Sequence, residues 1–227
     1  MPTTTIYDTE NQFSWDQKST SYDYYGVIES VYYVLDNGVS TINFYEFGTL
    51  SSIQIQDVGA DGSAATVGGV FSWTSRGMSY DENGVMIGRG TLYDNGVDSI
   101  EFFYPNGITS QVMLNDDQDT QSWSFISIEY EDNGNMIYHF TAYDNETSVL
   151  ARYTDGAITS KLYTDNADIE SWETKAESFD QSGQRDTLSY RFDDGIIHFT
   201  YYENTVRTRI HQQDDLDIKN WLYLITD

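Results

Sequence analysis

Aspartates three residues apart recur at fixed distances before the tryptophans of this 227-residue chain. Asp116 and Asp119 precede Trp123, Asp165 and Asp168 precede Trp172, and Asp214 and Asp217 precede Trp221, always seven and four residues upstream. Asp8 and Asn11 hold the same places before Trp15. A hard cation such as calcium takes six to eight oxygens from carboxylates and carbonyls, and an Asp-x-x-Asp loop supplies roughly two or three of them. These six aspartates are the candidate metal ligands, and calcium is the candidate cofactor. The same pattern has a purely structural use, because an aspartate that accepts nearby backbone N–H groups closes a turn. At the level of sequence both readings stand.

Other chemistry finds little support. His139, His198 and His211 fall at different phases of the repeat described below, and the chain has no Gly-x-Ser-x-Gly elbow, His-Glu-x-x-His pair or glycine-rich phosphate loop. With no cysteine, it offers neither thiolate ligand, disulfide nor thiol nucleophile. A glycosidase needs only two carboxylates about 5–10 Å apart. Among 37 acidic residues such pairs arise by abundance alone, so none singles itself out. The expectation is a protein that is not an enzyme, with a carbohydrate-active enzyme as the catalytic alternative.

The elements that position the aspartates follow from the tryptophans. Trp15, Trp73, Trp123, Trp172 and Trp221 are spaced by 58, 50, 49 and 49 residues, a period that signals tandem structural units. After each of the first four comes an aromatic-acidic-x-x-Gly turn: Tyr22-Asp23 with Gly26, Tyr80-Asp81 with Gly84, Tyr130-Glu131 with Gly134, Phe179-Asp180 with Gly183. A second turn follows at Asp36-Asn37-Gly38, Tyr93-Asp94-Asn95-Gly96, Tyr143-Asp144-Asn145 and Phe192-Asp193-Asp194-Gly195. A third follows near Gly48, Gly107, Gly156 and Asn204. Asn-Gly and Asp-Gly accept the positive φ of tight hairpin turns, and the segments between are β-branched and aromatic without helical period.

Each unit therefore reads as a four-strand antiparallel meander. The units span about 15–72, 73–122, 123–171 and 172–220 within a single all-β repeat domain over 1–227, with partial flanking strands at 3–8 and 221–227. An open or coiled repeat sheet is expected, because the flanking strands do not complete one blade between them. A four-bladed β-propeller is the alternative. A tryptophan at one phase of every unit is expected to fill the core rather than form a sugar-stacking platform. The loop before Trp73 breaks the pattern: residues 56–69, QDVGADGSAATVGG, carry an insertion of about nine small residues in place of the acidic loop.

Charge narrows the partners. A formal net charge of −26 disfavours nucleic acid and anionic lipid, and no apolar run reaches membrane-spanning length. Protein or glycan surfaces remain as partners, as does self-association through edge strands. Six of the 11 basic residues, Lys175, Arg185, Arg191, Arg207, Arg209 and Lys219, gather in the last quarter, where they can meet an acidic neighbour. The N-terminal MPTTTIYDTE lacks the basic and apolar regions of a cleavable signal peptide.

The aromatic-Asp-x-x-Gly and Tyr-Asp-Asn-Gly turns resemble the YD repeats of RHS-type proteins, over the stretch from Trp15 to Trp221. The Asp-x-x-Asp-x-x-x-Trp loop is similar to repeat regions of large type-I-secreted, calcium-associated bacterial proteins. The resemblance implies an extracellular or particle-associated β scaffold or binding module, and it transfers no catalytic residue. A phage or virus-like particle component, such as a decoration or tail protein, is the rival expectation.

Overall fold

The computed structural model describes residues 2–57, 71–214 and 223–226. The greater part of the 56–69 insertion, together with Asp217, Lys219 and Trp221, lies outside the described residues. The chain divides into two compact units, Met1–Thr120 and Gln121–Asp227, and the division falls between the second and third sequence repeats.

The first unit is an antiparallel meander of β1 (Thr3–Tyr7), β2 (Trp15–Tyr22), β3 (Ile28–Leu35), β4 (Val39–Glu46), β5 (Thr49–Asp57), β6 (Trp73–Tyr80), β7 (Met86–Tyr93), β8 (Val97–Phe103) and β9 (Thr109–Asp116). The second runs through β10 (Trp123–Tyr130), β11 (Met136–Tyr143), β12 (Thr147–Thr154), β13 (Ala157–Asp165), β14 (Trp172–Phe179), β15 (Arg185–Phe192), β16 (Ile196–Glu203), β17 (Val206–Asp214) and β18 (Tyr223–Thr226). All described regular structure is strand. Within each unit every strand pairs with its sequence neighbours, and among the described residues the first and last strands of a unit do not pair, so each sheet is open. A propeller would isolate its blades. Here the fourth strand of one repeat is hydrogen-bonded to the first strand of the next, at β1–β2, β5–β6, β13–β14 and β17–β18.

Turn chemistry explains the meander. In the first hairpin Asp23 Oδ1 accepts the N–H groups of Tyr25 and Val27, each at 2.8 Å, and Gly26 takes φ 82°. Asp81 and Asp180 act in the same way, so one carboxylate satisfies two turn amides. At Glu131 the side chain is one methylene longer, and Asn133 Oδ1 accepts the Asn135 N–H at 2.8 Å instead.

Each tryptophan that opens a strand sits at a bulge, between Trp15 and Gln17, Trp73 and Ser75, Trp123 and Phe125, and Trp172 and Thr174. Such bulges sharpen strand twist at one phase of every repeat. Trp73 is buried at 7% exposure, whereas Trp15, Trp123 and Trp172 are half-buried. Among the described tryptophans the expected core role is therefore met in full only at Trp73. The ring of Phe71 stacks on Trp73 at 4.7 Å with Arg76 over the indole at 4.9 Å, and Phe13 stacks on Trp15 at 5.0 Å. The other two repeats carry Gln121 and Glu170 two residues before tryptophan, and they have no such second ring.

The sheets have one sheltered face. Cross-strand partners trace a row from Val31 through Asn43, Ile53, Met78, Arg89 and Glu101 to Val112 in the first unit. The corresponding row of the second unit runs from Ile128 through His139, Ala151, Lys161, Glu177, Leu188 and Thr200 to Ile210. No residue of either row is exposed, while Leu92, Phe102 and Leu162 on the opposite face are.

Candidate functional site

Five aspartates stand at one structural position, the end of the strand that closes a repeat: Asp8, Asp57, Asp116, Asp165 and Asp214. The last four each pair with the opening residue of the preceding strand, as Val39↔Asp57, Val97↔Asp116, Thr147↔Asp165 and Ile196↔Asp214. These four are buried, with Asp57 at 1% and Asp214 at 0% exposure.

The carboxylates of Asp8, Asp57, Asp116 and Asp165 reach residues on the way to the next tryptophan. Asp8 Oδ2 accepts the Phe13 N–H at 2.6 Å, and Asp165 Oδ2 accepts the Glu170 N–H at 2.6 Å, both five residues on. Asp165 Oδ1 takes the Ala167 N–H at 3.2 Å, and Asp116 Oδ1 takes the Thr120 hydroxyl at 3.0 Å. Asp57 Oδ2 accepts the Phe71 N–H at 2.9 Å, fourteen residues on. The acidic position before Trp73 is thus kept, in contrast to the sequence expectation. The insertion enters downstream of the carboxylate, so counting back from the tryptophan misses it, whereas the end of the strand, Gln56-Asp57, was the signal that locates it.

The second member of each pair has a different reason. Asn11, Asp119 and Asp168 adopt φ of 54°, 55° and 55°, the left-handed region that Asn and Asp enter more readily than other side chains. Asp119 and Asp168 are exposed, and Asp116 and Asp165 are buried. Among the described residues no group of three or more His, Asp or Glu side chains is arranged to hold a metal ion.

Carboxylates nevertheless crowd this end of the second unit. Partial desolvation, followed by the charges of Asp168, Glu173, Asp165 and Asp194, raises the carboxyl of Asp193 above the ordinary carboxylate range. Burial, then the charge of Arg207, pushes His198 down, so it is neutral at neutral pH. His198 and His211 do not converge, since they pair with Gln212 and Phe199 in successive positions of adjacent strands and so point to opposite faces.

The sheltered faces carry ion pairs. Arg89 grips Glu101 with Nη2–Oε2 at 2.7 Å and Nη2–Oε1 at 2.8 Å. Glu177, buried at 5% exposure, takes Lys175 at 3.3 Å and Arg185 at 3.1 Å. Burial and the Glu177 charge raise the phenol of Tyr163, against the opposing pull of Lys175, whose ammonium lies 4.5 Å from that ring. Lys175, Arg185 and Arg191, from the basic residues gathered late in the sequence, are therefore engaged within their own unit, because Arg191 also meets Glu173 at 3.0 Å.

No family model matches the chain, and no curated protein matches it. Among solved structures it is similar to a chain in the crystal structure of TcdB2-TccC3, at 14% identity over 90% of this chain and a TM-score of 0.22. The match spans 11% of that chain. A repeated antiparallel strand architecture is what stands, and it rests on the pairings described above.

Proposed function

We propose that the chain is a non-catalytic β-repeat scaffold of the YD-repeat kind, extracellular or particle-associated, which binds a partner protein through its loops and turn tips. The supporting observation is the identity of the seams between repeats. Thr3↔Ser21, Ser52↔Ser79 and Ser160↔Ser178 are the same pair by distance from the strand-end aspartate and the following tryptophan, and Ile210↔Thr226 continues that register one residue along. The frame is held constant, while the turn tips differ in composition and the connection before Trp73 and the turn after β8 differ in length, as expected where binding resides in loops carried by a rigid support. In this reading the strand-end aspartates are caps. Asp165 accepts a backbone N–H on each of its two oxygens, the arrangement of a cap that closes the loop before Trp172.

Biolayer interferometry of the immobilised chain against basic, acidic and neutral polypeptides and neutral polysaccharides tests the reading, with mass spectrometry of each probe before and after. Saturable binding with unchanged probe mass is expected. A chemically altered probe contradicts a non-catalytic scaffold, and no saturable binding to any probe contradicts a binding module.

A further inference from the structure

The first repeat departs from the other three at the tips of two hairpins. Where the later repeats place Glu82-Asn83, Asp132-Asn133 and Gln181-Ser182 in the first turn, this one places Tyr24-Tyr25. These tyrosines are 93% and 86% exposed, and their rings meet edge to face at 5.4 Å. In the third turn Phe47 takes the place of Asp155 and Asn204. All three adopt the left-handed backbone, with φ of 50°, 51° and 50°. A short polar side chain tolerates that conformation, and a bulky aromatic one does so only at a cost. The Phe47 ring is fully exposed, so no burial within the chain offsets the strain.

The turns after β2 and β4 leave the sheet at the same end, two strand spacings or roughly 10 Å apart. Beside Phe47 lies a groove of about 380 Å³ between the turn after β4 and the turn after β6, lined by Glu46, Phe47, Leu50, Tyr80, Asp81 and Glu82 among others. No lysine or arginine lines it. The Val85 N–H, first among several donors, holds the Asp81 carboxyl below the usual range, so it is anionic at neutral pH. Exposed aromatic faces among carboxylates attract cationic side chains twice over, through the ring quadrupole and through charge.

We infer that the hairpin tips of the first repeat, Tyr24, Tyr25 and Phe47 with Glu46 and Glu82, form a docking surface for an arginine- or lysine-rich segment of a partner protein. This rests on the binding-module reading above and names its site and partner class. Charge complementarity selects the occupant, since the surface is acidic as well as aromatic. An apolar partner would leave Glu46 and Glu82 to be desolvated without compensation.

The test uses a fluorescein-labelled peptide of five Arg-Gly repeats, titrated at physiological salt into the full chain and into Y24Q/Y25S/F47N. That variant borrows residues from the fourth repeat and leaves the net charge unchanged. The expected result is at least a tenfold loss of affinity in the variant, no binding of a matched Gln-Gly peptide, and a melting temperature of F47N alone equal to or above that of the parent. Equal affinity in the triple variant overturns the proposal by assigning the binding to diffuse charge. Equal binding of the Gln-Gly peptide overturns the cationic class, and a lower melting temperature for F47N gives Phe47 a structural role. A dimer in sedimentation that the triple variant abolishes transfers the surface to a second copy and overturns the assigned partner. If the Arg-Gly peptide fails to bind while other probes bind, this proposal fails and the scaffold reading stands.

Discussion

Asp57 caps the backbone N–H of Phe71 at 2.9 Å across fourteen residues, and Asp8 caps that of Phe13 at 2.6 Å across five. In both cases the capped phenylalanine stacks on the tryptophan two residues later. The seams on either side share one register, Thr3↔Ser21 and Ser52↔Ser79. The insertion therefore lengthens a connection without moving what it connects. Loop closure costs only about 0.6 kcal/mol per doubling of length. Deleting nine residues from the segment between Asp57 and Phe71 is expected to raise stability by less than about 1 kcal/mol in urea unfolding. A loss of more than about 2 kcal/mol would show that the segment contributes contacts of its own.

The second residue of each aspartate pair is expected to matter through its backbone. D168N and D168G should unfold within about 0.5 kcal/mol of the parent, and D168V should lose roughly 1–2 kcal/mol, the cost of a left-handed conformation for a branched side chain. If D168N lost as much as D168V, charge rather than φ would decide the position.

The pH dependence follows from shifted carboxyls of both signs. Backbone donors, led by the Gln12 N–H at Asp8 and the Val85 N–H at Asp81, lower those two groups in the folded state; at Asp180 the Ser182 hydroxyl leads. A lowered folded pKa contributes stability that is present above the unfolded value and lost as pH falls through the folded one. The melting temperature should accordingly fall on acidification below the ordinary carboxylate range. Asp193, raised in the folded state, has the opposite sign: its ionised form is disfavoured by folding above that range. D193N should melt higher than the parent at pH 7 and lose that advantage by about pH 3, a difference that parallel thermal scans detect.

Glu177 is the hub of its ion pairs, so its partners are unequal to it. Arg185 is 42% exposed and Lys175 25% exposed, against 6% for the Glu177 side chain. R185A should cost less than about 1 kcal/mol, because solvent screens the arginine and Lys175 remains to neutralise the carboxylate. E177A should cost more, about 1–3 kcal/mol, by leaving the Lys175 ammonium beside Tyr163 without its counter-charge. Equal losses in chemical denaturation would contradict this ranking.

Much of the fold is legible in the sequence because turn chemistry is local. Asp23, Asp81 and Asp180 announce their hairpins through the glycine three residues on, and the tryptophan phase marks the strand that opens each repeat. The open sheet is foreshadowed by the flanking strands, whose registers match the internal seams. The capping role of the aspartates is half legible: spacing pairs Asp165 with Asp168, but only the backbone shows that one accepts N–H groups and the other bends the chain. Asp57 is hidden because the repeat is counted back from the tryptophan, on the far side of the insertion. The sheltered ion pairs are hidden for another reason. Glu101 and Glu177 sit on different strands of their repeats, and nothing in the spacing tells which face of a strand will be covered.

The claim that strand-end aspartates are caps for the seams is tested most directly by unfolding D57A and the parent in urea, with millimolar calcium and with sodium chloride at matched ionic strength. Loss of a buried carboxylate that holds a backbone donor predicts a fall of about 1–3 kcal/mol, the same in both salts, and no calcium stabilisation of the parent beyond that of sodium chloride. Parent protein stabilised by calcium but not by sodium chloride, with D57A insensitive to calcium, would contradict it.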